Sequence, residues 1–177
     1  MKEKFFNWLA RLMSRPRIRD AIINYAKQYP YFHLPPVGDV GSYMERYHIL
    51  PEVWWSPIAI RLHVIRSPDT DRALHNHPFS FRTFIINGGY WERRDEPVEA
   101  AGIDGTLTWR GTGTSYRMDK TELHCVELLG RTAKGSVVTV FVHRKRADGS
   151  DWGFKDPVTA KIISHDDFND RSFDDVR

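Results

Sequence analysis

The chain has 177 residues, 41% of them apolar and 13% aromatic, and a formal charge of +3. That length fits one domain with a short appendage, and 26 basic against 23 acidic residues give no argument for nucleic acid. A lone cysteine, Cys125, excludes an intrachain disulfide and suits a reducing, cytoplasmic setting, while no apolar run approaches the roughly 20 residues of a membrane span and no secretory leader is recognisable.

Residues 2–14 carry Phe5, Phe6, Leu9, Leu12 and Met13 at helical spacing, with Pro16 as the break. A second helical pattern places Ile18, Ile22, Ile23 and Ala26 on one side. The favoured reading is a helical extension packed on the domain or at a homodimer contact. A basic membrane-surface segment is the alternative. From residue 58 the period becomes two: Ile58, Ile60, Leu62 and Val64 face one way, and Arg61, His63 and Ile65 the other. Further strands are expected at 80–87, 89–94, 105–110, 114–118, 123–129, 136–145 and 158–163, punctuated by glycines such as Gly88, Gly89, Gly113 and Gly130. Many short strands at this spacing argue for an antiparallel sandwich or barrel. The expected division is a helical extension over 1–30, a β domain over 31–165 and an acidic, polar tail over 166–177.

The segment His75-Asn76-His77-Pro78 carries the chemistry. On a strand, residues i and i+2 point to one face, so His75 and His77 aim into the same space. His124 opens another strand candidate. If that strand lies opposite, three imidazoles converge, and three neutral nitrogens with open positions suit Zn²⁺, Fe²⁺, Ni²⁺ or Cu²⁺. Taken alone, an HxH pair is more often a polar strand end.

The surroundings of the pair resemble the cupin superfamily. Its first motif, G-x5-H-x-H-x4-E-x6-G, is matched by His75, His77 and Gly89, with Asp69 in the leading glycine slot and Arg82 in the glutamate slot. Its second motif is matched by Gly113 and His124, while Asp119, Thr121 and Leu128 fill other slots. The chain also resembles small single-domain bacterial and phage cupins. It shares with them Glu45-Arg46, Leu62-His63, HxHP, Gly88-Gly89-Tyr90-Trp91-Glu92, His124 and Trp152-Gly153-Phe154. The resemblance implies an all-β jelly-roll barrel with the site inside, and it implies no particular reaction.

Arginine cannot ligate a metal, so Arg82 leaves a three-histidine set. It either lines the cavity and neutralises a substrate anion, or pairs with an acid such as Glu122 or Glu127. Arg61 and His63 are substrate-orienting candidates if their face is interior, and a solvated face otherwise. Glu122 is a candidate fourth ligand, imidazole partner or surface charge. Tyr90 is a candidate proton donor, as is Tyr116, although strand tyrosines more often pack. Cys125 alternates away from His124 and is given no role. Trp152 and Phe154 are expected to close one end of the barrel. P-loop, nucleophile-elbow and dinucleotide-binding patterns are absent. The leading expectation is a mononuclear metal-dependent oxygenase acting on an anionic small molecule, with Fe²⁺ as the expected metal and Zn²⁺, Ni²⁺ or Mn²⁺ as alternatives. The alternatives are a metal-independent sugar isomerase or epimerase, with His75 as base, and a binding module without turnover.

Overall fold

The structure is a computed structural model that describes residues 2–31, 43–69, 74–95, 106–127, 136–144, 153–156, 159 and 161–164. The expected tail and Trp152 lie outside these residues. The elements run α1 (Lys2–Met13), α2 (Pro16–Ala26), β1 (Met44–Leu50), β2 (Ile58–Ile65), β3 (Phe81–Asn87), β4 (Gly89–Arg94), β5 (Thr106–Gly111), β6 (Ser115–Met118), β7 (His124–Glu127), β8 (Val137–Arg144), β9 (Gly153–Lys155) and β10 (Ile162–Ser164).

One sheet has the order β1-β2-β8-β3-β6 and a second has the order β5-β4-β7, with β9 and β10 paired beside them. Every pairing is antiparallel. Between the two sheets lie Ile65, Phe81, Ile85, Tyr90, Tyr116, Met118, Val126, Val137 and Phe141. The hydroxyls of Tyr90 and Tyr116 meet at 2.7 Å across this layer.

The outer face of the large sheet is also buried. Leu62, Val64, Phe84, Ile86, Val138 and Val140 pack against Phe6, Leu9, Ala10 and Met13 of α1 and Ile22, Ile23 and Ala26 of α2. Burial on both faces explains the nearly continuous apolar runs of β3 and β8. Pro16 both breaks α1 and opens α2, where a missing N–H costs nothing. Asn7 accepts the Ser115 N–H at 2.8 Å, and Glu3 pairs with Arg82, so α1 is fixed to β6 and β3. Phe5, expected in the packed stripe, is exposed and stacks on Trp8.

Two strands escaped the sequence reading. β1 is half-buried at every residue, so it shows no alternation, and β9 has only three residues. The strand expected at 158–163 starts at Ile162 instead, because the Thr159 N–H bonds the Asp156 carboxylate in a turn. Gly88 joins β3 to β4 with φ +74°, where a side chain would be strained.

The helix–sheet contact predicts that Phe6→Ala costs about 2–3 kcal/mol in urea denaturation, less than the roughly 3–5 kcal/mol of a fully buried phenylalanine. An unchanged midpoint would contradict the packing of α1 described here.

Candidate metal centre

His75 does not sit in a regular strand, as expected, but in isolated bridges to His124 on one side and Phe154 on the other. His75 and His124 exchange both backbone N–H···O bonds at 2.9 Å, which sets their side chains beside one another. Lys155 N–H bonds the Leu74 carbonyl at 2.7 Å, and the Asn76 side chain accepts the Gly153 N–H at 2.8 Å. The residue between the two histidines thus clamps the segment to the late Gly153-Phe154 strand. A Cβ at Gly153 would collide with the Ile163 carbonyl, so this strap needs glycine.

The candidate ligand atoms of His75, His77 and His124 all lie within 4.8 Å of one another. The Nε2 atoms of His77 and His124 are 2.9 Å apart. Two nitrogens each about 2.0–2.1 Å from one ion stand roughly 2.8–3.4 Å apart at right or tetrahedral angles, so the pair already has chelating separation. The His77 ring rests against Phe79, Phe81 and Phe141. Burial holds His77 well below the ordinary imidazole value, and His124 and His75 push it the same way. A neutral imidazole is the form that binds a metal.

Glu92 orients the third ring. It is fully buried, and its Oε1 lies 3.1 Å from His124 Nδ1. A carboxylate only accepts, so Nδ1 carries the proton and Nε2 is left with its lone pair toward His77. The other carboxylate oxygen takes Arg94 Nε at 2.9 Å and Arg110 Nη2 at 2.6 Å. Burial alone would raise the Glu92 carboxyl. The hydrogen bond from His124, with Arg110 and Arg94, outweighs it and brings the group down to about 2. Sequence reasoning noticed Glu92 only as the end of the GGYxE segment and gave it no role. Its signal was position: it shares a strand face with Tyr90 and Arg94.

Arg82 requires a correction. It alternates with Phe81, whose ring touches those of His77 and His124, and therefore points away from them toward α1. Its guanidinium meets both Glu3 oxygens at 3.0 and 2.7 Å, bonds Ser115 at 3.3 Å and lies 3.9 Å over Phe6. The acid that answers it is Glu3, not Glu122 or Glu127. Glu122 is exposed ahead of β7 and reaches the centre only through Arg94, at 3.3 Å. Tyr90 is buried with its hydroxyl on Tyr116, and burial and Glu92 push it up, so it stays protonated. Cys125 is buried beside Asp69. Arg61 and His63 face the space between the sheets. The solvated reading fails for them because the opposite face of β2 is taken by the helices.

No family model and no curated protein matches the chain in sequence. Solved structures do. One, of the DMSP lyases RdDddP and RnDddQII, aligns with a TM-score of 0.56 at 11% identity over 78% of this chain and 68% of that one. Another, the DMSP lyase DddQ from Ruegeria pomeroyi DSS-3, aligns at 0.53 and 16% identity over 82% of this chain and 75% of that one. The chain has the cupin fold. Within this cupin barrel lies a histidine cluster able to hold a metal ion, and among the described residues no helix is long and apolar enough to cross a membrane.

Two outcomes follow for Glu92. Glu92→Gln should lower metal affinity about 10–100-fold in competition titrations, as loss of a ligand's orienting partner does. The folded carboxyl lies near 2 and the unfolded one near 4.5, so Glu92 favours the folded state fully above pH 4.5. That contribution fades as pH falls toward 2. Wild-type stability should therefore drop across this window, and the drop should be shallower in Glu92→Gln. Parallel curves from denaturant melts would contradict the assigned role.

Proposed function

We propose that this cupin is a metal-dependent enzyme acting on a small molecule, with His75, His77 and His124 holding one divalent ion, preferentially Fe²⁺, and that its reaction class is oxygenation. The observation that carries the reading is the convergence of three imidazoles, two of them at chelating separation, with the His124 proton fixed on the far nitrogen by Glu92. A general base would need one such ring. Three with a shared focus are a ligand set. When bound, the ion supplies Lewis acidity and coordination positions that three protein ligands leave open.

The chain's own groups have separate tasks. His75 and His124 are locked by their shared backbone pair. His77 is half-buried and flanked by the rings of Phe79, Phe81 and Phe141. Arg94 and Arg110 keep Glu92 ionised, which keeps the His124 proton at Nδ1. Against the metal-independent isomerase reading stands the pairing of its two candidate proton donors, the Tyr90 and Tyr116 hydroxyls, with one another in the core. The two structural neighbours named above are described as lyases, so oxygen dependence separates the proposed chemistry from theirs.

Untagged protein loaded anaerobically with Fe²⁺ should bind one ion per chain by elemental analysis. His75→Ala, His77→Ala and His124→Ala should each lose it, while Arg82→Gln retains it. A wild-type protein that takes up no metal would overturn the reading. Turnover that proceeds equally without oxygen would remove the oxygenase class and leave the metal centre.

A further inference from the structure

The inner face of the large sheet carries a second polar cluster that the metal centre does not use. The β1–β2 register sets His48 opposite Arg61 and Arg46 opposite His63. The β2–β8 register sets Phe141 opposite Arg61 and His143 opposite Ala59. Partners in an antiparallel pair share a face, so two guanidiniums and three imidazoles line one stretch of barrel wall. Arg61, His63 and His143 are 8%, 9% and 1% exposed. Among the described residues, Arg61 Nε, His63 Nε2, His143 Nε2 and His48 Nδ1 are buried without a hydrogen-bond partner. A buried guanidinium N–H with no acceptor is costly, and several unpaired polar atoms on one patch of wall are rare in a folded protein.

Among the described residues, the acid at this cluster is Glu52, with its side chain 40% exposed. Its Oε1 lies 3.1 Å from Arg61 Nη2 and 3.8 Å from His143 Nε2. One carboxylate oxygen from the protein's edge thus marks a place where an oxyanion sits, while Arg61 Nε stays unanswered. Tyr31, itself 39% exposed, covers the outer side. Its ring lies 4.5 Å from the Arg61 guanidinium and 4.6 Å from the His48 ring. The cluster therefore reaches solvent at the Tyr31–Glu52 end. Its inner end reaches the metal centre: His63 stacks on Phe141 at 4.7 Å, and Phe141 lies 6.4 Å from His77. One phenyl ring separates the two groups.

We propose that Arg61, with His48 and His63, is the oxyanion-binding subsite of this barrel, receiving a carboxylate or phosphoryl group of the small-molecule substrate in exchange for Glu52, while His143, whose Nδ1–H donates to the Arg144 carbonyl at 2.7 Å, borders the subsite without donating to it. The delivery of the rest of that substrate past Phe141 to the three histidines rests on the metal-enzyme reading. The subsite itself does not. It takes over the task expected of Arg82.

Inorganic phosphate and acetate are titrated calorimetrically into the full chain after chelator treatment, so that neither probe can bind through metal. At least one should bind saturably, and which one binds distinguishes a phosphoryl from a carboxylate group. Arg61→Gln should weaken that binding at least 10-fold, and His63→Gln should weaken it as well. Glu52→Gln, which removes the competing carboxylate, should tighten it about 3-fold or more. Arg82→Gln should stay within 2-fold of wild type. In the wild type, the imidazole NMR signals of His63 and His143 should shift with the same saturation curve, a readout that needs no variant to fold. No saturable binding of either probe, or equal weakening by Arg82→Gln, or weaker binding in Glu52→Gln, would overturn the assignment. Failure of the metal reading would appear separately, as absence of bound Fe²⁺ with the anion titrations unchanged.

Discussion

A single buried carboxylate connects the stability of this fold to its chemistry. Glu92 has no solvent exposure, yet it is held ionised by Arg94 from its own strand and Arg110 from the neighbouring one. An isolated charge in that position would neutralise itself or disrupt the core. With both arginines present, the remaining oxygen is free to hold the His124 proton. Glu92 thus ties β4, β5 and β7 together and also decides which nitrogen of His124 faces the centre. The arginines extend the link to the opposite sheet, since Arg110 and Arg94 lie 4.2 and 5.3 Å from the Tyr116 ring. Burial of ion pairs contributes little net stability and breaking one is expensive, so the arrangement serves geometry above all.

The large sheet divides its labour between its faces. Its outer face is aliphatic and is covered by α1 and α2. Its inner face runs from the aromatic wall around His77 to the row of Arg61, His63 and His143. That division requires the helices. Without them, β2 and β8 would bare an apolar surface to water, and the alternation that aims Arg61 and His63 inward would have no driving force to fix it.

Much of this was legible in the sequence, and the exceptions have physical causes. The two helices, β2, β3, β4 and β8 follow from period and punctuation. The convergence of His75, His77 and His124 follows from the motif spacing, although His75 lies in a pair of bridges and not in a strand. Arg82 misled because slot matching assigns a position and not a face. Its strand parity with Phe81, itself an inner residue, sends it outward, and its partner Glu3 is too distant in sequence for any local rule to name. Arg61 and His63 were ambiguous because both faces of β2 are buried, and period-two alternation cannot tell two interiors apart. Glu92 was overlooked because its role depends on strand register, which brings it diagonal to His124 across the β4–β7 pair.

That Glu92 fixes the His124 tautomer, so that three imidazole nitrogens share one focus, can be tested directly in solution. Long-range nitrogen–proton correlation spectra of the metal-free protein, recorded at pH 8, report which ring nitrogen of each histidine bears hydrogen. A protonated Nδ1 and an unprotonated Nε2 are expected for His124. A proton on Nε2 would contradict it, because the lone pair would then point at Glu92 and away from His75 and His77.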